Sequence, residues 1–349
     1  MRPEPFRIEP AFSPRLWGSR TLAPLFPEKS NLAEPLGEAW LTGVDCRIAS
    51  GPFAGKTLGA VWREMPGEWR GRRVADESNF PLLVKFIFPT EKLSLQVHPD
   101  DAYAAVHEKA AGGRGKTEMW HAVSALPGAQ LLLGLKPAVS KEKFLKGLSS
   151  HTLEELFETR TVRAGDTFFV GPGTPHSIGP DVVICEVQEY SDLTYRVYDF
   201  GRVDANGKQR ELHIEKALQV TNFGKLAGGQ VNPLPLPANG ASRSLLAACR
   251  YFATERWDCT SNCEIAVDPQ RFEVIVILEG AGNLAWPDGT ARYQRGECWL
   301  VPASQGRIGV LPEASTSLIR TFVPDIPALK TELHRDGISA AALAQVIFD

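Results

Sequence analysis

The sequence has no run approaching the roughly 18 apolar residues that a membrane-spanning helix needs. It also lacks a charge excess of either sign: 38 Lys and Arg against 41 Asp and Glu leave a formal net charge of -3. That balance gives no electrostatic reason to expect nucleic acid or an anionic membrane as partner. The opening stretch, Met1-Arg2-Pro3-Glu4-Pro5-Phe6-Arg7, is charged and Pro-rich and has no apolar core after it, so no targeting segment is expected. Its 6 cysteines show no Cys-x-x-Cys pair. Cys259 and Cys263 form at most a loose metal pair with no second pair beside them. Free thiols in a reducing cytoplasm are the expectation.

What is present is turn chemistry between short apolar runs. With 31 Gly and 26 Pro, segments such as Pro81 to Phe88, Leu131 to Leu133, Thr167 to Val170, Val182 to Ile184, Phe272 to Leu278 and Cys298 to Val301 read as strands. Many short strands of this kind suggest a sandwich or barrel. Helices are expected over Ser140 to Leu148 with Ser140 as cap, from Thr152-Leu153-Glu154-Glu155 by capping-box spacing, and over Asp100 to Ala111. Phe223 to Gly240, rich in Gly, Pro and Asn, reads as a linker between a first domain (1–225) and a second (226–349). The Gly165-Asp166-Thr167-Phe168-Phe169-Val170 segment is echoed by Gly296-Glu297-Cys298-Trp299-Leu300-Val301, which suggests an internal repeat.

The most informative stretch is Leu93-Ser94-Leu95-Gln96-Val97-His98-Pro99-Asp100-Asp101. Strand alternation puts Ser94, Gln96 and His98 on one face. With Glu118 and His176 they offer two imidazoles, a carboxylate and an amide oxygen, a set suited to zinc or a similar divalent ion. Lys116, Glu118 and Trp120 share a face at period two. A charged pair beside a Trp on an inward face needs compensation, which a metal would supply. The alternative is a Lys116–Glu118 surface pair on an edge strand. His121 points opposite to Glu118, outside the site, and His107, His151, His213 and His334 have no comparable context.

Five blocks in order carry a resemblance to type I mannose-6-phosphate isomerases over roughly residues 10–220. They are Leu93 to Asp101, Gly115-Lys116-Thr117-Glu118-Met119-Trp120, Gly173-Thr174-Pro175-His176, Asp192 to Arg202, and Arg210 to Ala217. The resemblance implies a mainly β chain of two tandem cupin (jelly-roll) barrels, with a few helical insertions on the first. It implies one Zn2+ per chain on Gln96, His98, Glu118 and His176, with Arg196 in the active site, Lys116 and Glu186 lining it, and Ser94 near the substrate. Two departures stand out. Gly171-Pro172-Gly173 replaces the family's frequent Pro-Ala-Gly, and the second barrel has lost its metal set. There Arg307 stands where His176 stands in the first, and a structural role is expected, with anion binding by that arginine as the alternative.

The implied reaction interconverts mannose-6-phosphate and fructose-6-phosphate, moving one proton between C1 and C2 through an enediolate. Lys116, Glu186 and a metal-bound water all remain open as the base. Arg196 suits a developing oxyanion or a phosphate oxygen, and Arg202 and Ser94 are the phosphate candidates, since no Gly-rich phosphate loop is evident. The expected partner is a phosphorylated hexose, in the cytoplasm, with monomer or oligomer left open. Three other readings compete: a bicupin that binds a metal and a sugar or acid without catalysis, an isomerase for another sugar phosphate, and an iron- or manganese-dependent oxygen-activating cupin.

Overall fold

In the computed structural model, residues 3–74, 78–204, 206–224, 226 and 228–348 are described, Ala111 by its backbone alone. Alternation along the strands decides the architecture. Trp120, Phe168 and Ile184 face one way into a core with Leu131, Leu133 and Ile178. Their neighbours Met119, Phe169 and Cys185 face the other way into a larger core. A strand buried on both faces reads as a continuous apolar run, which is why Leu82–Ile87 is buried at every position.

The first half forms two sheets. In the seven-stranded one, Glu118–Ala125 lies between Thr167–Val170 and Val182–Glu189, and the latter pairs with Leu82–Ile87, followed by Leu36–Trp40 and Ala11–Ser19. The five-stranded sheet runs Tyr195–Tyr198, Leu95–Val97, His176–Ile178, Gln130–Leu135, Phe157–Thr161. The C-terminal half repeats the plan. Its seven-stranded sheet includes Cys298–Val301, Glu273–Glu279, Thr316–Phe322 and Ala253–Cys259 in that order. Its four-stranded partner runs Cys263–Ala266, Arg307–Pro312, Ala281–Trp286, Gly289–Gln294. Trp257, Ile275, Leu284, Tyr293 and Trp299 fill the space between these two. Residues of both seven-stranded sheets, Met119 and Phe169 with Val274 and Leu300 among them, share the large core. Phe6–Ile8, from the start of the chain, pairs with Cys298–Leu300 of the C-terminal half.

The mainly β expectation holds, and two of the three expected helices form with adjusted ends. Ser140 caps Lys141–Ser149 through Lys143 N. Asp100 caps Asp101–His107, after which a short 3-10 turn covers Lys109–Ala111. Thr152 makes no side-chain capping bond, and Leu153–Leu156 is a single 3-10 turn. The linker reading of Phe223 to Gly240, of which residues 225 and 227 lie outside the described set, needs correction. Gly228–Val231 adds an edge strand to the first half's large sheet, and Leu234–Leu236 adds one to the second's. Gly228 makes this possible: at φ +118, a Cβ there would lie 2.2 Å from the Phe169 carbonyl oxygen. Pro235 sits in an edge strand, where its missing N–H costs no ladder bond. Among the described residues no helix is long and apolar enough to cross a membrane.

Candidate metal centre

Leu95 and Val97 pack outward under the helices with Phe144, Phe157 and Tyr195. This turns Ser94, Gln96 and His98 inward, between the five- and seven-stranded sheets. Gln96 lies opposite His176 in the strand register and opposite Arg196 on its other side. The Glu118 strand enters from the large sheet. Its lead-in is pinned to the end of the His98 strand: Lys116 N donates to Pro99 O (3.0 Å) and Gly115 N to Asp101 Oδ1 (2.9 Å). A Cβ at Gly115 would lie 2.5 Å from the Asp100 carbonyl carbon, so only glycine lets these segments meet. On the third side, Gly173 at φ +75 donates its N–H to the His98 carbonyl (2.8 Å). The Gly-Pro-Gly departure thus keeps a turn that ties His176 to His98.

The result is a buried group in which ligand atoms of His98, Glu118 and His176 all lie within 4.8 Å of one another. Each imidazole has its Nδ1 committed to a backbone carbonyl: His98 to Leu193 O (2.8 Å) and His176 to Thr174 O (2.9 Å). A carbonyl only accepts, so Nδ1 carries the proton and Nε2 presents its lone pair to the centre. Burial, with Lys116 nearby, pushes the His98 pKa down to about 3, and burial lowers that of His176, which keeps both rings neutral. Burial alone would raise the Glu118 pKa, yet Lys116 at 2.6 Å holds the carboxyl well below the usual range.

Two further observations test the fit of a cation. His98 Nε2 lies 2.9 Å from Glu118 Oε1 and has no hydrogen-bond partner of good geometry, while that oxygen is held only by the Lys116 charge at 2.6 Å. Orphaned buried atoms of this kind are rare and need a reason. The Gln96 amide nitrogen lies 3.2 Å from His176 Nε2, and a half-turn of the amide brings its oxygen to the same place. Two neutral imidazole nitrogens, a carboxylate oxygen and an amide oxygen fit a borderline divalent ion.

Around this group lies a buried ionic layer. Trp120 Nε1 donates to Glu118 Oε2 (2.7 Å) and Glu186 Oε2 (3.0 Å). Burial and the charge of Glu118 raise the Glu186 pKa. Lys116 Nζ stands 3.9 Å from Glu186, and Lys85 Nζ stands 3.0 Å from it and 3.6 Å from Glu38. Burial opposes the Lys85 charge, but Glu186 and Glu38 hold its pKa above the ordinary value. Lys116 and Glu118 are therefore not a surface pair, and their strand is not an edge. Lys85 and Glu38 were missed from sequence, although a lysine inside the all-buried Leu82–Ile87 strand was the available signal.

The remaining expected residues fall as follows. Ser94 is buried and donates to Gln96 Oε1 (3.3 Å). Arg196 donates Nη1 to Glu211 O (2.9 Å), while its buried Nε has no hydrogen-bond partner. Arg202 is turned onto Asp199 (2.6 Å) and the Lys92 carbonyl (2.6 Å), and Arg210 shares the same Asp199 (2.7 Å). His121 lies outside the group, against Thr167 and Arg256. In the C-terminal half Arg307 does not face inward: it is exposed and pairs with Glu264 at 3.6 Å. The inward cation there is Arg320, bonded to Glu273 and Glu255.

Comparison with known proteins agrees with this geometry. Residues 6–126 match the family described as phosphomannose isomerase type I, catalytic domain. A putative mannose-6-phosphate isomerase of Bacillus subtilis, YvyI, is 32% identical over 307 residues, covering 87% of this chain and 94% of that protein. The mannose-6-phosphate isomerase of Streptococcus mutans is 33% identical, over 86% of this chain and 92% of its own. The crystal structure of the Bacillus subtilis mannose 6-phosphate isomerase superposes with a TM-score of 0.82 at 30% identity, over 91% of this chain and 99% of that one.

Proposed function

The chain belongs to the type I mannose-6-phosphate isomerase family, and from that premise we propose that it interconverts mannose-6-phosphate and fructose-6-phosphate at the His98–Glu118–His176 centre with one zinc ion. The observation that carries this reading is the pair of imidazoles whose Nδ1 atoms are spent on backbone carbonyls, so that both Nε2 lone pairs meet Glu118. Gln96, His98, Glu118 and His176 would hold the ion. Once bound, it would supply Lewis-acid polarisation of the sugar oxygens on C1 and C2, without redox chemistry.

The protein groups supply the rest. Moving the carbon-bound proton needs a buried group that can take it from one carbon and return it to the next. Glu186 is suited, because it is buried beside the group, and burial and the charge of Glu118 raise its pKa. Lys116 is the other candidate, ion-paired with Glu118 at 2.6 Å. Arg196, with an unpaired buried Nε, faces the growing negative charge of the enediolate. Arg202 and Ser94 are assigned to the phosphate end. Arg202 and Arg210 bond Asp199 and Arg196 lies in its field, with Glu91 3.7 Å from Arg202, so three guanidinium groups meet two carboxylates, a local positive excess that favours a dianionic substrate.

In the same reading the first half, with Gly228–Val231 in its large sheet, forms a catalytic cupin, and the rest of the chain after it, joined by Phe6–Ile8, a second, structural one, in a cytoplasmic enzyme. The test uses metal-analysed protein incubated with mannose-6-phosphate while fructose-6-phosphate is followed. Activity that disappears with a chelator and returns with zinc supports both reaction and ligand set. A protein fully loaded with zinc and still inactive on this sugar overturns the reaction and leaves the site.

A further inference from the structure

Cys259 and Cys263 take no part in the metal centre. Cys259 ends the Ala253–Cys259 strand and Cys263 begins Cys263–Ala266, so the pair joins the two facing sheets of the C-terminal half. Between them, Thr260, Ser261 and Asn262 make an exposed corner. Beneath that corner the two Sγ atoms lie 3.0 Å apart. That is about 1 Å longer than the roughly 2.05 Å of a disulfide bond, so a small shift at the corner closes the gap.

Both sulfurs are buried, in the core between the two sheets of the C-terminal half and directly beneath the exposed corner; the other four thiols lie elsewhere. Cys46, Cys185, Cys249 and Cys298 all belong to the large core shared by the two halves. Burial raises the pKa of each, to about 11 for Cys46 and about 12 for Cys249. Cys263, 6% exposed beneath the corner, lies in hydrogen-bond contact with Cys259, and either thiol can donate to the other's sulfur. Two thiols in contact beneath an exposed corner are the arrangement in which ring closure follows once one of them has formed a mixed disulfide.

We propose that Cys259 and Cys263 are a modification site, a dithiol that closes to an intramolecular disulfide by exchange with a small-molecule disulfide such as oxidised glutathione. The Cys263 thiolate attacks one sulfur of the small disulfide, forms a mixed disulfide and expels the first small thiolate. Cys259 then loses its proton to that thiolate, attacks Cys263 Sγ and expels the second. Two protein thiols are oxidised and one small disulfide is reduced to two thiols. The ring spans one corner and fastens one sheet of the C-terminal half to the other.

The experiment incubates reduced, folded full-length chain with oxidised glutathione, removes the reagent, and counts thiols after denaturation alongside the intact mass. The expected result is four titratable thiols instead of six, a mass lower by two hydrogens, and a peptide cross-linked between residues 259 and 263. Thermal unfolding of the oxidised form should shift up by roughly 2–5 °C. Cys259→Ser should instead trap one glutathione on Cys263. The proposal fails if six thiols remain, if a glutathione adduct accumulates on the unaltered chain without ring closure, or if the bond joins another pair.

Discussion

Glu118 and Glu273 hold the same place in the two halves of the chain. Glu118 stands opposite Val170, and Glu273 stands opposite Val301. Val170 and Val301 close the two Gly-acid segments that echo each other in sequence. Following the register one strand further, Met119 faces Val187 and Val274 faces Thr321, so Glu186 corresponds to Arg320. One more strand takes Glu186 to Lys85 and Arg320 to Glu255. The same three positions thus read Glu, Glu, Lys in the first half and Glu, Arg, Glu in the second. In the second half a guanidinium built into the chain neutralises the buried carboxylates, and among the described residues no group suited to a metal ion forms there.

Removing that guanidinium should therefore be costly. Arg320 donates Nε to Glu273 Oε2 (2.8 Å), Nη1 to Glu255 Oε2 (3.2 Å) and Nη2 to the Ala266 carbonyl (2.8 Å). Arg320→Met keeps the stem's bulk and strands buried Glu273, while Glu255 keeps only Arg243 as its cation. Breaking a buried ion pair from one side costs about 3–5 kcal/mol. Urea unfolding should show a loss of that order, with metal content per folded chain unchanged. A loss within about 0.5 kcal/mol, the range of ordinary surface substitutions, would refute the charge account.

Glu255 gives the same cluster a pH signature. Burial raises its pKa, but Arg320 and Arg243 overcome this and hold it at about 2, from an ordinary 4.5. The folded value lies below the unfolded one, so the contribution is full above about 4.5 and is lost as pH falls toward about 2. The difference corresponds to about 3 kcal/mol. Glu255→Gln should be less stable than the native sequence at pH 7, and the gap between them should narrow when unfolding is measured from pH 5 down to pH 3. A constant gap over that range would remove Glu255 from the acid dependence.

The candidate site was readable from sequence because each of its side chains sits in a segment whose local pattern sets its direction. Alternation around Gln96 and His98, period two from Lys116 to Trp120, and the Gly-Pro turn before His176 all survive in three dimensions. What the sequence hides is whatever depends on a partner distant in the chain. The carbonyls of Leu193 and Thr174 that set the imidazole tautomers carry no residue-type signal. Lys85 is one charge inside an apolar strand, and only its neighbours across the sheet show why it is tolerated. Arg307 matched His176 by its place at the head of a strand, yet it faces solvent, and register alone identifies Arg320. The stretch after Phe223 looked like a linker because Gly and Pro, usually loop residues, here serve edge strands.

Trp120 should tune the metal site without touching the metal. Its Nε1–H is shared between Glu118 Oε2 and Glu186 Oε2, the oxygens turned away from the two lysines. Trp120→Phe keeps an aromatic ring and removes the donor. Loss of such a supporting hydrogen bond typically weakens metal affinity about 10–100-fold. Competition with a chromogenic chelator should show this, while His121→Ala, on the opposite face of the same strand, should leave the affinity as it was. Equal effects from the two substitutions would mean that the strand's integrity is being measured, not the hydrogen bond.

The two halves also meet at a carboxyl pair. Asp101 Oδ2 accepts from Tyr251 (2.6 Å) and Arg250 (2.8 Å), both in the C-terminal half, while its Oδ1 accepts from Gly115 N. Beside it, buried Glu189 accepts from Thr117 N (2.8 Å). Burial, with the Asp101 charge next to it, pushes the Glu189 pKa up to about 8. A folded value raised above the unfolded 4.5 means the contribution is full below about 4.5 and is lost as pH rises through about 8. The native chain should therefore lose a few kcal/mol between pH 5 and pH 9 from this group alone. Glu189→Gln keeps both an acceptor for Thr117 and a donor for Asp101, yet cannot ionise. In denaturant unfolding across that range its stability should fall less than that of the native sequence, and at pH 9 it should be the more stable of the two. Parallel curves for the two proteins would show that Glu189 does not carry the shared proton. Tyr251→Phe, which removes one donor to Asp101, should cost about 1 kcal/mol at neutral pH.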